Sequence, residues 1–587
     1  MNMRELSNYD KHPFTRVSTS SSDCQVGWLE ILRRLRPLTT ARRCLLCIEC
    51  YPGVFVDAVR AAVVEGLKPR RVFDTRDFFK DAQTINDLLE HDLSDDPVFG
   101  RLTSFTIDDF LDTEKCSQAR ERIHGVDKGL ILVIGNGAVR VAQAPDVLVY
   151  ADMARWEIQQ RQREGETGNL GVNNAQETAS GKYKRGFFVD WRAADRLKKE
   201  IFTKIDYLLD TNDRHTPKLI SGENLRRGLE MTVSRPFRVV PFFDPGPWGG
   251  QWMKKICNLP SDAPNYAWCF DCVPEENSLL LGFGSVRVEI PSIDLVFSHP
   301  RELLGEAVHA RFGSEFPIRF DFLDTMDGGN LSLQVHPLTE YIQDVFGMHY
   351  TQDESYYVLD AKEDAVVYLG LKEGISPEAM IADLKRARDE LWKFPDEKYV
   401  NKWPAKPHDH FLIPAGTVHC SGGNSMVLEI SATPYIFTFK MWDWNRLGLD
   451  GEARPIHIHH AEPNIQWNWT TEWVRSNLIN QVKPVASGRG WREEKTGLHE
   501  REFIETRRHW FTGPVNHHTQ GGVNVLNLVQ GEEAVVESPH GTFDPLVVHY
   551  AETFIVPAAV GPYTIRPIRL HQGANSATIK AFVGTNP

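Results

Sequence analysis

The stretch Gly328–Asp360, GGNLSLQVHPLTEYIQDVFGMHYTQDESYYVLD, decides how this 587-residue chain is read. Gln334 and His336 stand two apart in an alternating run, which on a strand sends both side chains to one face. Eighteen residues beyond His336, Glu354 opens a second run, SYYVLDA, rich in aromatic and β-branched residues. A third segment, HDHFLIPAGTVHC, brings His419 in just after a Pro-x-Gly turn. An amide oxygen, two imidazoles and a carboxylate converging inside a barrel would make a metal site with room for substrate.

The surroundings are those of an ordinary globular chain: 41% hydrophobic, 25% charged, with a formal net charge of -13 and a mean hydropathy of -0.36. An acidic balance argues against a nucleic-acid partner, which needs a basic face. It leaves room for phosphorylated small molecules, for which a local Arg or Lys cluster suffices. No apolar run is long enough to span a bilayer, and MNMRELSNYDKHPF lacks a signal-peptide apolar core. The expectation is a cytoplasmic protein with no membrane partner and with self-association into a homo-oligomer left open, whose nine cysteines are reduced thiols. The CxxC spacings Cys44/Cys47 and Cys269/Cys272 read as packing rather than zinc, because RCLLCIECY is an apolar strand and neither pair is flanked by knuckle turns.

Length predicts roughly three or four domains. Residues 1–35, polar and Ser-rich, read as an N-terminal arm. Residues 36–232 alternate strands (RCLLCIECY, GLILVIGNGAV, VLVYADM) with helices (VFVDAVRAAVVEGL, ARWEIQQRQREG), the pattern of an α/β domain with a mainly parallel sheet. Residues 233–460 turn to short strands with Gly and Pro turns, interrupted by a Pro-initiated helical insertion at 376–399. HFLIPAGTVHC, SMVLEISA and YIFTFKMWDW are strands of this region, and 461–587 form a second, C-terminal β domain.

In the α/β part, the Gly53 turn before a helix is a ready anion site. The Arg-rich helix with Arg155, Arg161 and Arg163 resembles the lid of small P-loop kinases of the uridine-kinase type. No GxxxxGK[ST] is present, and Gly135-Asn136-Gly137 is not a GxGxxG. The domain therefore reads as a degenerate, kinase-like scaffold. Lys184, Arg185 and Arg192 could line a phosphate pocket, though a solvated face is the commoner role for such residues.

The motifs WGG (248–250), FLDTMDGGNLSLQVHP, YYVLDAKEDAVVYLGLKEG, FLIPAGTVH, VLEI and DWNR occur in the order seen in class I mannose-6-phosphate isomerases, zinc enzymes of the cupin superfamily. The resemblance spans about 240–587 and implies an all-β double cupin, or jelly roll, following the α/β domain. Carried over motif by motif, it makes Gln334, His336, Glu354 and His419 the ligands of one Zn2+ per chain. Arg446 of DWNR becomes the active-site arginine, and Glu429 of VLEIS the pocket carboxylate that carries a proton. The implied reaction is aldose–ketose interconversion of a sugar phosphate through an enediolate, a charge that a metal or guanidinium stabilises.

The chain departs from the family at two positions. Gln352 stands where a Lys usually precedes the Glu ligand, and Asp321 of RFDFLD stands where KxLD is common. Both changes take positive charge from the pocket, which Lys440, Arg319, His349 or His410 could restore, so Lys440, Arg319 and Gln352 are the candidate substrate contacts. Two other readings fit part of the pattern: a non-catalytic sugar-phosphate sensor, and an iron cupin oxygenase using His336, Glu354 and His419. The triplet His457, His459, His460 and the tryptophans Trp442, Trp444, Trp467 and Trp469 read as structural.

Overall fold

The computed structural model describes residues 7–390, 392–432, 437–497, 499, 501–569 and 575–584. It is a mixed α/β structure with six sheets among the described residues. The chain divides into two units: Phe14–Thr232 with Ser278–Ser298, and Met1–Pro13 with Val233–Asn277 and His299–Pro587. No helix among the described residues is long and apolar enough to cross a membrane.

The first unit holds a seven-stranded sheet in the order Cys24–Val26, Lys218–Ser221, Tyr207–Asp210, Val147–Asp152, Arg43–Cys50, Gly129–Gly135, Arg71–Asp74. Five strands run parallel, and Cys24–Val26 and Lys218–Ser221 add antiparallel at one edge. RCLLCIEC has parallel neighbours on both sides and is buried at every position but Arg43. That burial on both faces is why the run is apolar throughout instead of alternating. All nine cysteines are buried free thiols, and both CxxC spacings lie on strands.

Arg155, Arg161, Lys184 and Arg185 of this unit are engaged by the protein itself. Arg161 donates to Gly53 O at 3.0 Å and Thr211 O at 2.8 Å, and Arg155 pairs with Asp195. The guanidiniums of Arg161 and Arg214 stand over the Phe55 ring, 4.1 and 4.4 Å from its centroid. Lys184 and Arg185 are buried and donate to the carbonyls of Ser94, Asp96 and Leu170, so they form neither a solvated face nor free phosphate contacts.

Two boundaries differ from the sequence reading. Within the expected arm 1–35, residues 1–6 lie outside the described residues. Tyr9 donates to Asp271 at 2.7 Å in the second unit, while Phe14–Ser18, Cys24–Val26 and the helix Gly27–Leu35 belong to the first. Alternation in FTRVS buries Thr15 and Val17, giving a polar-looking segment a packed face. Ser278–Ser298, expected within the β region 233–460, belongs to the α/β unit. Its strand Ser278–Phe283 pairs in parallel with Phe14–Ser18, and its Asp294 meets the buried Lys198 ammonium at 2.9 Å.

The second unit is built from antiparallel sheets. One has the order His410–Ile413, Glu354–Ala361, Ser425–Ser431, Arg319–Asp324, Trp268–Cys272, Phe242–Asp244. The next has Val400–Pro404, Val366–Leu371, His419–Ser421, Leu333–Val335, Phe439–Trp442. Between their strands the helices Pro377–Glu390 and Asp396–Tyr399 occupy the expected insertion. Of the expected strand YIFTFKMWDW, Phe439–Trp442 forms, and Tyr435 and Ile436 lie outside the described residues. The C-terminal part holds a six-stranded and a four-stranded sheet around a core that includes Phe511, Val515, Leu526, Leu528 and Ile565.

Candidate metal centre

Cross-strand pairing lays the site out as rows. In the five-stranded sheet Lys440, Gln334 and His419 are neighbours across three strands, so their side chains share a face. In the six-stranded sheet Arg319, Ser431 and Glu354 form one row; two residues along, Asp321, Glu429 and Tyr356 form the next. His336 follows the strand Leu333–Val335 directly.

Side chains from the two sheets meet at Glu354. His336 Nε2 lies 3.1 Å from Glu354 Oε2 and His419 Nε2 lies 2.8 Å from Oε1, with all three residues buried. Their ligand atoms fall within 4.8 Å of one another. His336 Nδ1 is 2.8 Å from Phe437 O, and His419 Nδ1 is 2.8 Å from Thr417 O. A carbonyl only accepts, so each Nδ1 carries the proton and each Nε2 presents a lone pair toward the carboxylate. Lone pairs facing carboxylate oxygens repel unless a cation stands among them. His336 Nε2 and Glu354 Oε1 have no hydrogen-bond partner among the described residues. Burial alone would raise the Glu354 carboxyl, and positive charge on its His336 and His419 side, which a bound cation supplies once both rings turn lone pairs inward, holds it well below the usual carboxylate range. The donor set suits zinc. Gln334 is adjacent, with Nε2 3.2 Å from His419 Nε2, so as placed it offers its nitrogen and not its oxygen.

The turn that delivers His419 is fixed to the other ligand loop. Gly416 donates its N–H to His336 O at 3.0 Å, and Asp353 accepts from Ala415 N at 2.8 Å. Gly416 has φ +91°, and a Cβ there would meet Asn464 O at 2.8 Å, which is why the turn carries glycine.

Beside the ligands lies a pair of carboxyls. Burial, then Asp321 and Glu354, push Glu429 well above the usual range. Asp321 is raised by burial and partly offset by Arg319, whose Nε lies 3.1 Å away. Gln352 spans the group: its Oε1 accepts from Phe437 N at 3.1 Å, which turns its Nε2 toward Glu354 Oε2 at 3.0 Å and Glu429 Oε1 at 3.4 Å. Lys440 is lowered to about 7 by burial and by Arg454. Arg446 bonds Asn330 O and Asp443 Oδ1, each at 2.5 Å, and its buried Nε has no partner among the described residues.

The structure therefore gathers Gln334, His336, Glu354, His419, Gln352, Glu429 and Arg319, with Lys440 in the same row as Gln334. His410 is not among them. It pairs with Tyr357, on the face opposite Glu354 and Tyr356, and burial lowers it to about 3. His349 is exposed. Tyr356 escaped the sequence reading although it stands two residues after Glu354, the same spacing that flagged Gln334 and His336. Its hydroxyl is buried, and burial followed by Glu354 and Glu429 pushes it well above 10.

Comparison with known proteins gives three findings. Residues 27–234 match a family described as a domain of unknown function, DUF8485. The chain is 25% identical over 233 residues to the mannose-6-phosphate isomerase ManA of Bacillus subtilis, covering 38% of this chain and 66% of that protein. It is 29% identical over 216 residues to the mannose-6-phosphate isomerase of Streptococcus mutans, covering 36% of this chain and 62% of that protein. The chain thus spans slightly under two thirds of the length of these two relatives. Among solved structures, the mannose 6-phosphate isomerase from Bacillus subtilis aligns with 59% of this chain and 99% of its own, at 18% identity and a TM-score of 0.49.

Proposed function

We propose that this chain is a zinc-dependent aldose–ketose isomerase of a sugar phosphate, either mannose 6-phosphate/fructose 6-phosphate or a related sugar, built on a double cupin. The observation that carries the reading is Glu354 bracketed by two imidazoles, each turned by a backbone carbonyl to present Nε2. Zinc, one per chain, would be held by His336, Glu354, His419 and, after a half-turn of its amide, Gln334, and would supply Lewis-acid polarisation of the substrate carbonyl.

The chain's own residues supply the proton chemistry and the positioning. Asp321 is the ionised member of its pair, because Arg319 bonds it, so Glu429 holds the transferable proton. As the enediolate forms, ionised Asp321 takes up the proton leaving C2 while Glu429 gives its own to the carbonyl oxygen; on collapse the proton held by the pair returns to the neighbouring carbon and Glu429 recovers one from the substrate hydroxyl. Arg446, fixed by Asn330 and Asp443, offers its unpartnered Nε–H to an oxyanion. Lys440 and Gln352 contact the substrate, and Arg319 positions Asp321. The parallel sheet of the α/β unit serves as a kinase-like scaffold.

The test is a panel of aldose and ketose phosphates incubated in deuterated water. Exchange of the C2 proton, abolished by a chelator, is expected for at least one sugar; no exchange with any of them overturns the proposal. A sensor that binds without turnover is the second reading. It is favoured by one contact: the neutral Gln352 amide, and no cation, bridges Glu354 and Glu429.

A further inference from the structure

The C-terminal strands carry a second polar cluster, away from the candidate metal centre. Trp491–Gly497, Ile504–Phe511, Asn524–Gln530 and Ser576–Val583 belong to one sheet, and Val515–His518 to the other. Their inward faces form an apolar core at Phe511, Val515, Leu526 and Leu528. Alternation carries the same face from Phe511 to His509 and from Val515 to His517. Ladder pairing carries it from Leu528 to Thr578 and from Leu526 to Lys580. The hydrocarbon core thus gives way to imidazole, hydroxyl and ammonium.

These groups are deeply buried: His509 is 2% exposed, His517 7%, Thr578 0% and Lys580 8%. Among the described residues, His509 Nδ1, His517 Nε2 and Thr578 Oγ1 have no hydrogen-bond partner. Buried polar atoms are nearly always satisfied, so several unsatisfied ones on one inward face call for a bound partner. The nearby carboxylates are already engaged. Arg507 holds Glu493 at 2.9 Å and Glu505 at 2.6 Å, His509 Nε2 lies 3.3 Å from Glu493, and Lys495 lies 3.5 Å from Glu505. Among the described residues no carboxylate lies within 4.0 Å of Lys580 Nζ, which leaves one cation of the group uncompensated at contact distance. A metal fits poorly beside that ammonium, and His509, His517 and Glu493 do not make a three-ligand cluster like that of the first site.

We propose that this inward cluster is a second binding site, for a small anion bearing a phosphate or carboxylate, held by Lys580, His517, His509 and the Thr578 hydroxyl. Lys580 supplies the charge, the Thr578 hydroxyl and His517 Nε2 are left free to donate, and His509, whose Nε2 is turned to Glu493, presents its Nδ1 lone pair to a protonated oxygen of the anion. Burial lowers Lys580 to about 8, and an anion beside it favours the charged form.

Calorimetric titration of the full chain with inorganic phosphate, and separately with malonate, tests the site. The expected result is a saturable binding event in the wild-type chain that is absent, or at least about tenfold weaker, in Lys580→Met. Phosphate alone giving that event assigns a phosphate ester; malonate alone assigns a carboxylate. Should Lys580→Met fail to fold, His517→Asn carries the same comparison. The proposal is overturned if neither anion binds saturably, or if both variants bind like the wild-type chain.

Discussion

Gln352 Nε2 lies 3.0 Å from Glu354 Oε2, held there because its own Oε1 accepts from Phe437 N. A neutral amide therefore sits where an ammonium would neutralise both Glu354 and Glu429. Gln352→Lys places a cation between the two carboxylates and favours the ionised form of Glu429. The alkaline limb of the pH–rate profile, set by loss of the Glu429 proton, is expected to move down by about one to three pH units, the range an opposite charge at contact distance produces. Profiles of kcat for the two chains over one sugar phosphate check this; an unmoved limb takes Glu429 out of the proton-transfer role.

The tautomers of His336 and His419 make metal removal a stability experiment as well as an activity one. A metal that binds only the folded chain stabilises it by about 2.7 kcal/mol at a hundredfold excess over Kd. Chelator is expected to lower the Tm of the wild-type chain and leave His336→Ala unchanged, with zinc near one equivalent in the first and near zero in the second. Metal analysis beside differential scanning calorimetry reads both. Iron as the retained metal, together with oxygen consumption, points to the oxygenase reading instead.

Much of this site was legible because strand alternation is a strict rule. QVH and the PAGTVH turn carry three of the buried groups at spacings that alternation makes readable, and Glu354 falls in register on the facing sheet. Partner identity was not legible, since it depends on pairing between distant strands. Asp321 became a neighbour of Glu429 across a ladder, and His410 went to the outer face with Tyr357. The helix Thr339–Phe346, between the first and second ligand strands, was also missed. Its apolar signal reduces to Ile342 and Phe346 over eight residues, too short for a helical period to declare itself. In the α/β unit the apolar parallel strands read plainly, whereas the return of Ser278–Ser298 did not: SLLLGF looks the same whichever sheet it joins.

His410 gives a pH dependence whose sign can be worked out. Its imidazole is buried with both ring nitrogens unpartnered among the described residues and is lowered to about 3, against 6.5 in the unfolded chain. Between those values the unfolded chain binds the extra proton, so stability falls as pH drops through 6.5 and keeps falling toward 3. At pH 5 this one group costs about 2 kcal/mol. His410→Leu removes the titration, and the difference in denaturant-derived stability between variant and wild type is expected to shift toward the variant as pH falls from 7 to 5. A constant difference across that range would mean His410 does not titrate as assigned.

The last prediction separates the two protonated groups that face Glu354. Glu429 and Tyr356 are cross-strand partners, and burial keeps both in the proton-bearing form. Glu429 stands beside ionised Asp321 and can pass its proton and recover it. A phenol held well above 10 gives up a proton at far greater cost. Glu429→Gln keeps the shape and one donor but cannot exchange a proton, so kcat is expected to fall by about 10²–10⁴ with KM little changed. Tyr356→Phe deletes a buried hydroxyl that has no hydrogen-bond partner among the described residues, so kcat is expected to change little at saturating zinc. Steady-state kinetics of both variants at saturating zinc decide between them. If Tyr356→Phe loses kcat under those conditions while Glu429→Gln retains it, the proton carrier is the tyrosine, and Glu429 only spaces Gln352 from Asp321.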